Sequence, residues 1–154
     1  TRPVLVEIQA LIVRLASGAT PRRAVVGWDS GRLAMLLAVL EARCGLNFSS
    51  AEVYLNVAGG YRLADPAADL AVAAALVSAL ADKPLARDAV WFGEVSLAGE
   101  VRPVAHSGVR LREAAKLGFT SAYGPGEAGE KRDGSRFSPI GMLPNLVDRI
   151  MGGA

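Results

Sequence analysis

A chain of 154 residues is enough for one compact domain, and 51% hydrophobic with 21% charged residues supplies a core and excludes a disordered segment. No apolar run reaches the ~18 residues that a bilayer-spanning helix needs, and the alanine-rich stretch 70–81 is too short. The formal net charge is only +2, but 14 of the 17 basic residues are arginine, the side chain better suited to bidentate phosphate contact.

The chain opens on Thr1-Arg2-Pro3 with neither an initiator Met nor a signal-peptide pattern, so a domain cut from a longer protein is expected. Residues 4–13 alternate partly and predict a strand, Ser17-Gly18-Ala19-Thr20-Pro21 a turn, and 22–28 a second strand. Asp29 or Ser30 is a good N-cap for a helix over 31–44, whose Leu33, Leu36, Leu37 and Leu40 recur at helical spacing before Gly45 closes it. A short apolar strand over 53–58 ends at Gly59-Gly60. Asp65-Pro66 then opens a helix to about Ala81, so uniformly apolar that it should be central.

Val90-Trp91-Phe92 predicts a strand, and 94–102 a hairpin turning at Ala98-Gly99. A helix over 109–117 is closed by Gly118, a strand follows over 119–123, and 124–135 is glycine-rich and charged, an exposed loop. A strand near Arg136-Phe137 and a helix over 142–150 complete the chain. The expected class is α/β, a single domain over 1–154 with a mixed α+β sheet. One cysteine, Cys44, and one histidine, His106, can build neither a disulfide nor an ordinary zinc site, and they suit a reducing cytoplasm. Trp28, Trp91 and Phe92 read as core or interface residues, with no base-stacking role.

Three separated motifs keep a common register: Asp65-Pro66-Ala67-Ala68-Asp69, then Gly93-Glu94 with a hairpin ending Arg102-Pro103, then a helix ending Lys116-Leu117-Gly118. Their order and spacing over 53–125 resembles the proteolytic domain of Lon proteases. That resemblance implies a Ser-Lys dyad whose serine falls on Ala67 and whose lysine falls on Gly108. A methyl group and a hydrogen atom supply neither nucleophile nor base, so no catalytic residue is expected. Ser78, inside an apolar helix, should bond a backbone carbonyl. Ser107 beside His106 lacks an orienting acid. Glu94 reads as a structural or interface acid. Asp69, where the proteases carry glycine, is expected to hydrogen-bond a backbone turn or pair with an arginine of a neighbouring subunit.

Leu5-Val6-Glu7-Ile8-Gln9-Ala10-Leu11, Thr20-Pro21-Arg22-Arg23, Gly27-Trp28-Asp29-Ser30-Gly31-Arg32, Tyr54-Leu55-Asn56-Val57-Ala58-Gly59-Gly60 and Pro66-Ala67-Ala68-Asp69 together are similar to the C-terminal domain of the RadA (Sms) family of bacterial DNA-repair proteins. The resemblance implies a parent with a zinc finger and a RecA-like, DNA-dependent ATPase that promotes branch migration. ATP, magnesium and zinc would then belong to other parts of that parent, with no cofactor in this domain. It also implies a ring-forming scaffold, a hexamer in that family, which contacts single-stranded or branched DNA, with the recombinase of homologous recombination as a further partner, no membrane, and a bacterial cytoplasmic location. Carried over to this chain, the DNA-facing set is Arg22, Arg23, Arg32, Arg62 and Arg102. Two alternatives stand beside this reading: a purely structural oligomerisation module, and a Lon-class Ser-Lys peptidase, which needs side chains that Ala67 and Gly108 lack.

Overall fold

The computed structural model describes residues 4–16, 19–126 and 136–152; the expectations for residues 1–3, for Ser17-Gly18 and for 127–135 of the glycine-rich loop lie outside the described residues. Three strands, β1 (Ile8–Arg14), β2 (Arg23–Val26) and β3 (Ala51–Val57), form a sheet in the order β1-β3-β2, with β3 antiparallel to β1 and parallel to β2. β1 begins later than the 4–13 reading. Its register runs only from Ile8 opposite Val57 to Arg14 opposite Ala51, and the chain beyond Val57 turns away into a 3-10 turn, Ala58–Gly60. A strand lasts as long as its partner does, whatever its own pattern. β2 stops at Val26, where Gly27 takes φ +86°. A Cβ on Gly27 would lie 2.6 Å from the Tyr61 carbonyl oxygen, so glycine lets the two segments approach.

Helix α1 (Ser30–Cys44) forms as the leucine spacing predicts: the Asp29 carboxylate accepts from the Arg32 N–H at 2.8 Å, and Gly45 closes the helix in the left-handed conformation. Leu33, Leu36, Leu37, Val39 and Leu40 are buried. The central apolar helix is divided into a 3-10 turn, Pro66–Ala68, capped by Asp65, and helix α2 (Asp69–Ala81), buried along most of its length. α2 lies against β1, α1 against β2, and the amphipathic C-terminal helix Leu143–Met151 packs on both helices through Leu146, Val147 and Ile150. One face of the sheet therefore carries the main core, while Leu11 and Val26 on the other are 59% and 62% exposed.

The second half adds β4 (Ala89–Trp91), a hairpin of β5 (Glu94–Val95) and β6 (Val101–Arg102), helix α3 (Ser107–Lys116), β7 (Ser121–Gly124) and β8 (Arg136–Pro139), ahead of the C-terminal helix, α4. β4, β7 and β8 form a parallel sheet with β7 in the middle. The hairpin turns at Gly99 and pairs Glu94 with Arg102, as its glycine position predicts. Trp91 stacks on Tyr123 with ring centroids 4.0 Å apart, while Phe92, Leu111 and Ala122 make a satellite core under α3. Trp28 and Phe92 are both buried in the core, as their sequence positions predict.

Candidate functional site

The Asp65-Pro66-Ala67-Ala68 turn is held from three sides. Asp65 Oδ1 accepts from the Ala67 N–H at 3.0 Å, the Ala67 carbonyl accepts from the Gly93 N–H at 2.8 Å, and the Leu70 N–H donates to the Gly93 carbonyl at 3.0 Å. These bonds need the backbone of residue 93 close to the turn, and a Cβ there would lie 2.7 Å from Val101 Cγ1. The turn thus has a defined place for the side chain at position 67, and what fills it is a methyl group, 4% exposed. It offers no lone pair and no proton.

Asp65 also reaches the neighbouring helix. Arg110 on α3 donates from Nη2 to Asp65 Oδ2 at 3.1 Å and from Nε to the Ala105 carbonyl at 2.9 Å. Burial pushes the Asp65 carboxyl up, but the Ala67 N–H and the Arg110 guanidinium outweigh it and hold it below the usual carboxylate range. Gly108 sits in the first turn of α3, where an added Cβ would meet Arg112 Nη1 at 3.3 Å. Of the two described lysines, Lys83 donates to the Met151 carbonyl at 2.8 Å, and Lys116 ends α3, about 12 Å along the axis from Gly108. The hydroxyls are engaged elsewhere: Ser78 donates to the Lys83 carbonyl at 2.5 Å and Ser107 to the Val104 carbonyl at 3.1 Å. Among the described residues, no three His, Cys, Asp or Glu side chains are grouped to hold a metal ion.

Asp69, the first residue of α2, is 2% exposed. Arg32 grips both of its oxygens, Nε donating to Oδ1 at 2.6 Å and Nη2 to Oδ2, and the Val95 N–H donates to Oδ2 at 2.9 Å. Of the two expectations for Asp69, a backbone hydrogen bond is present, from the Val95 N–H of the hairpin, and the arginine is corrected: it lies 37 residues upstream in the same chain and not in a neighbouring subunit. The hydrogen bond to Asp69 raises the Arg32 pKa against the opposing effect of burial, and the nearby Glu94 carboxylate adds to the rise. A bidentate Arg–carboxylate pair at a buried helix start ties α1, α2 and β5 together.

The five candidate arginines fall into two places with different roles. Arg22 and Arg23 lie at the start of β2, where Arg23 donates to the Ala51 and Phe48 carbonyls and braces the entry to β3. Arg22 is exposed. Arg32, Arg62 and Arg102 lie toward the other end of the strand, roughly 10 Å away along it. There the Leu63 N–H bonds the Gly27 carbonyl at 2.7 Å and brings Arg62 beside the α1 start, while Arg102 pairs across the hairpin with Glu94. Arg62 and Arg102 are exposed, and Arg32 is engaged with Asp69. Arg110 was not among the candidates. Its contact with Asp65 spans 45 residues of sequence, and no local pattern announces such a pair.

Ala67, Asp65 and Arg110 also line a groove of about 750 Å³ between α2, β4, α3 and the segment leading into β1.

Residues 30–127 match the family described as subunit ChlI of Mg-chelatase. The chain is 59% identical over 152 residues to DNA repair protein RadA of Brucella abortus, covering 97% of this chain and 32% of that protein. It is 49% identical over 150 residues to DNA repair protein RadA of Salmonella typhimurium, covering 97% and 31%. Identity to DNA repair protein RadA of Synechocystis is 46% over 144 residues, covering 93% and 28%. The chain thus spans about a third of the length of these relatives.

Proposed function

The chain belongs to the family described as subunit ChlI of Mg-chelatase, and its relatives are DNA repair proteins named RadA; from that premise we propose that it is a non-proteolytic, Lon-like domain of a RadA-type DNA repair protein. Its work is assembly and sequence-independent DNA contact. The parent is a DNA-dependent ATPase of homologous recombination, working in the bacterial cytoplasm on single-stranded or branched DNA beside the recombinase. ATP, magnesium and zinc belong to its other parts. Assembly takes the form of a ring of like subunits.

The observation that carries the reading is the formed but chemically empty turn: hydrogen bonds hold position 67 in place, and the side chain there is a methyl group. Gly108, the position matched to the lysine, has no side chain at all. The DNA-facing role falls to Arg22, Arg62 and Arg102, whose side chains reach solvent. Arg23 and Arg32 act indirectly, by bracing β3 and the α1–α2–hairpin junction.

Titration of labelled single-stranded and forked oligonucleotides at low salt tests this. We expect binding that weakens steeply with added salt and weakens further in the Arg22→Ala, Arg62→Ala, Arg102→Ala triple variant. Equal affinity in the triple variant would overturn the assignment. Light scattering that finds a ring without DNA affinity would favour a purely structural oligomerisation module.

A further inference from the structure

We propose that Tyr61 is a base-stacking residue, which together with Arg62 favours single-stranded DNA over duplex at this end of the β1-β3-β2 sheet. This role rests on the DNA-contact reading above and narrows it from DNA in general to strands whose bases are unpaired.

Among the described residues, every other aromatic side chain is buried or half-buried. Trp28, Phe48 and Phe92 are in the core, Trp91 and Tyr123 stack on each other, and the Tyr54 hydroxyl donates to Glu52 at 2.8 Å. Tyr61 is 55% exposed. Among the described residues, no second ring stacks on it and its hydroxyl makes no hydrogen bond. Its π-face is therefore unspent.

A single exposed ring is common on protein surfaces; this one is distinguished by how it is held. Gly59 and Gly60 take φ +83° and +75°, and the chain then enters Tyr61 in an extended conformation, φ −69° and ψ 146°. A Cβ on Gly59 would lie 3.0 Å from Tyr61 Cε2 and 3.2 Å from Cδ2, so one edge of the ring rests on the bare backbone of residue 59. The backbone is fixed as well. The Tyr61 carbonyl lies against Gly27, and the Leu63 N–H donates to the Gly27 carbonyl at 2.7 Å, which ties residues 61–63 to the end of β2. A side chain positioned before its ligand arrives has less freedom to lose on binding. The ring is thus supported at one edge while more than half of the residue stays in solvent, as a stacking platform requires.

Arg62 supplies the charge. It is exposed, and successive side chains of an extended backbone diverge, so the guanidinium leaves the ring uncovered. It is placed to meet a phosphate next to the nucleotide whose base lies on Tyr61. Arg22, exposed at the far end of β2, lies roughly 10 Å along the strand and continues the cationic track. Cations that follow the backbone, joined to aromatic rings that take the bases, hold single strands without reading sequence, because every base has a π-face. In a duplex the bases are paired and stacked on one another, so the phosphates reach Arg62 but no base face reaches Tyr61.

Fluorescence polarisation with three labelled probes of equal length tests the proposal: oligothymidine, a strand of abasic sites, and a duplex. The unaltered chain should bind oligothymidine more tightly than the abasic strand, which carries the same phosphates. Tyr61→Ala should lower affinity for oligothymidine by about tenfold. Its affinity for the abasic strand and the duplex, its salt slope and its thermal midpoint should not change. Tyr61→Phe keeps the ring and should bind as the unaltered chain does. Arg62→Ala should instead weaken binding to all three probes and flatten the slope of log affinity against log salt by about one. Oligothymidine carrying one 5-iodouracil should crosslink to Tyr61 under long-wavelength ultraviolet light. Unchanged oligothymidine affinity in Tyr61→Ala, or an equal loss with the abasic strand or the duplex, would overturn the stacking role and leave the DNA contact standing. Binding of none of the three probes would overturn the DNA-contact reading, and the role of Tyr61 with it.

Discussion

Asp69, 2% exposed, is met by three donors, two from the Arg32 guanidinium and one from the Val95 backbone. Removing one partner of such a pair strands the other charge, which costs about 3–5 kcal/mol, whereas exchanging both for apolar residues can cost little. Arg32→Ala should therefore lower stability in urea denaturation by about 3 kcal/mol, and Arg32→Met with Asp69→Leu should recover most of the loss. A double change no more stable than the single one would show that the pair is not the source. Asp65 responds to pH. Its folded pKa lies below the unfolded value, so its contribution to stability is present above the ordinary carboxylate range and is lost as pH falls through the folded pKa. In Arg110→Ala the Asp65 carboxyl should titrate at higher pH by NMR, and stability should begin to fall at higher pH than in the unaltered chain. Neither pair was legible in the sequence, since the partners lie 37 and 45 residues apart. The methyl at position 67 was legible, because the neighbouring residues spell the turn around it.

Elements were readable wherever a local cause fixes them. Asp29 caps α1 and Gly45 ends it, four leucines set its buried face, and Pro66 marks the start of the central helical segment. Boundaries were less readable where a distant partner decides them. β1 starts at Ile8 because β3 runs out at Val57, and no feature of Val4 to Glu7 announces that limit. Tertiary approach also explains Gly27, whose missing Cβ makes room for the Tyr61 carbonyl. Gly27→Ala combines a positive φ with that clash, so it should cost more than about 1 kcal/mol by thermal unfolding. It should also displace the segment that carries Arg62 and weaken DNA binding along with stability. Leu40→Ala, at a fully buried site of α1, should cost about 2–5 kcal/mol and leave DNA affinity per folded molecule unchanged.

The arginines of this nearly neutral chain are divided by role. Some brace carbonyls and carboxylates, and others remain in solvent. If three exposed arginines each meet a phosphate, their joint removal should flatten the slope of log affinity against log salt by roughly two to three. Restoring Ala67→Ser alone should yield no peptidase activity in a casein assay, because Gly108 supplies no amine to activate the hydroxyl. Activity in that single variant would mean that another residue serves as base. The β1-β3-β2 sheet leaves one face open to solvent at Leu11 and Val26. Leu11→Asp with Val26→Asp should leave the monomer folded, and a fall in mass by light scattering would place this face in a contact between copies of the chain.

The grip of Arg32 on Asp69 has a consequence for descent as well as for stability. A lineage that loses either side chain first passes through an intermediate with a buried, unmatched charge, and most such intermediates would be purged. The two positions should therefore be inherited as a unit. Across a broad sampling of descendants, a small neutral residue at position 69 should rarely coexist with arginine at position 32, and frequent mixed combinations would mean that the junction tolerates a lone charge.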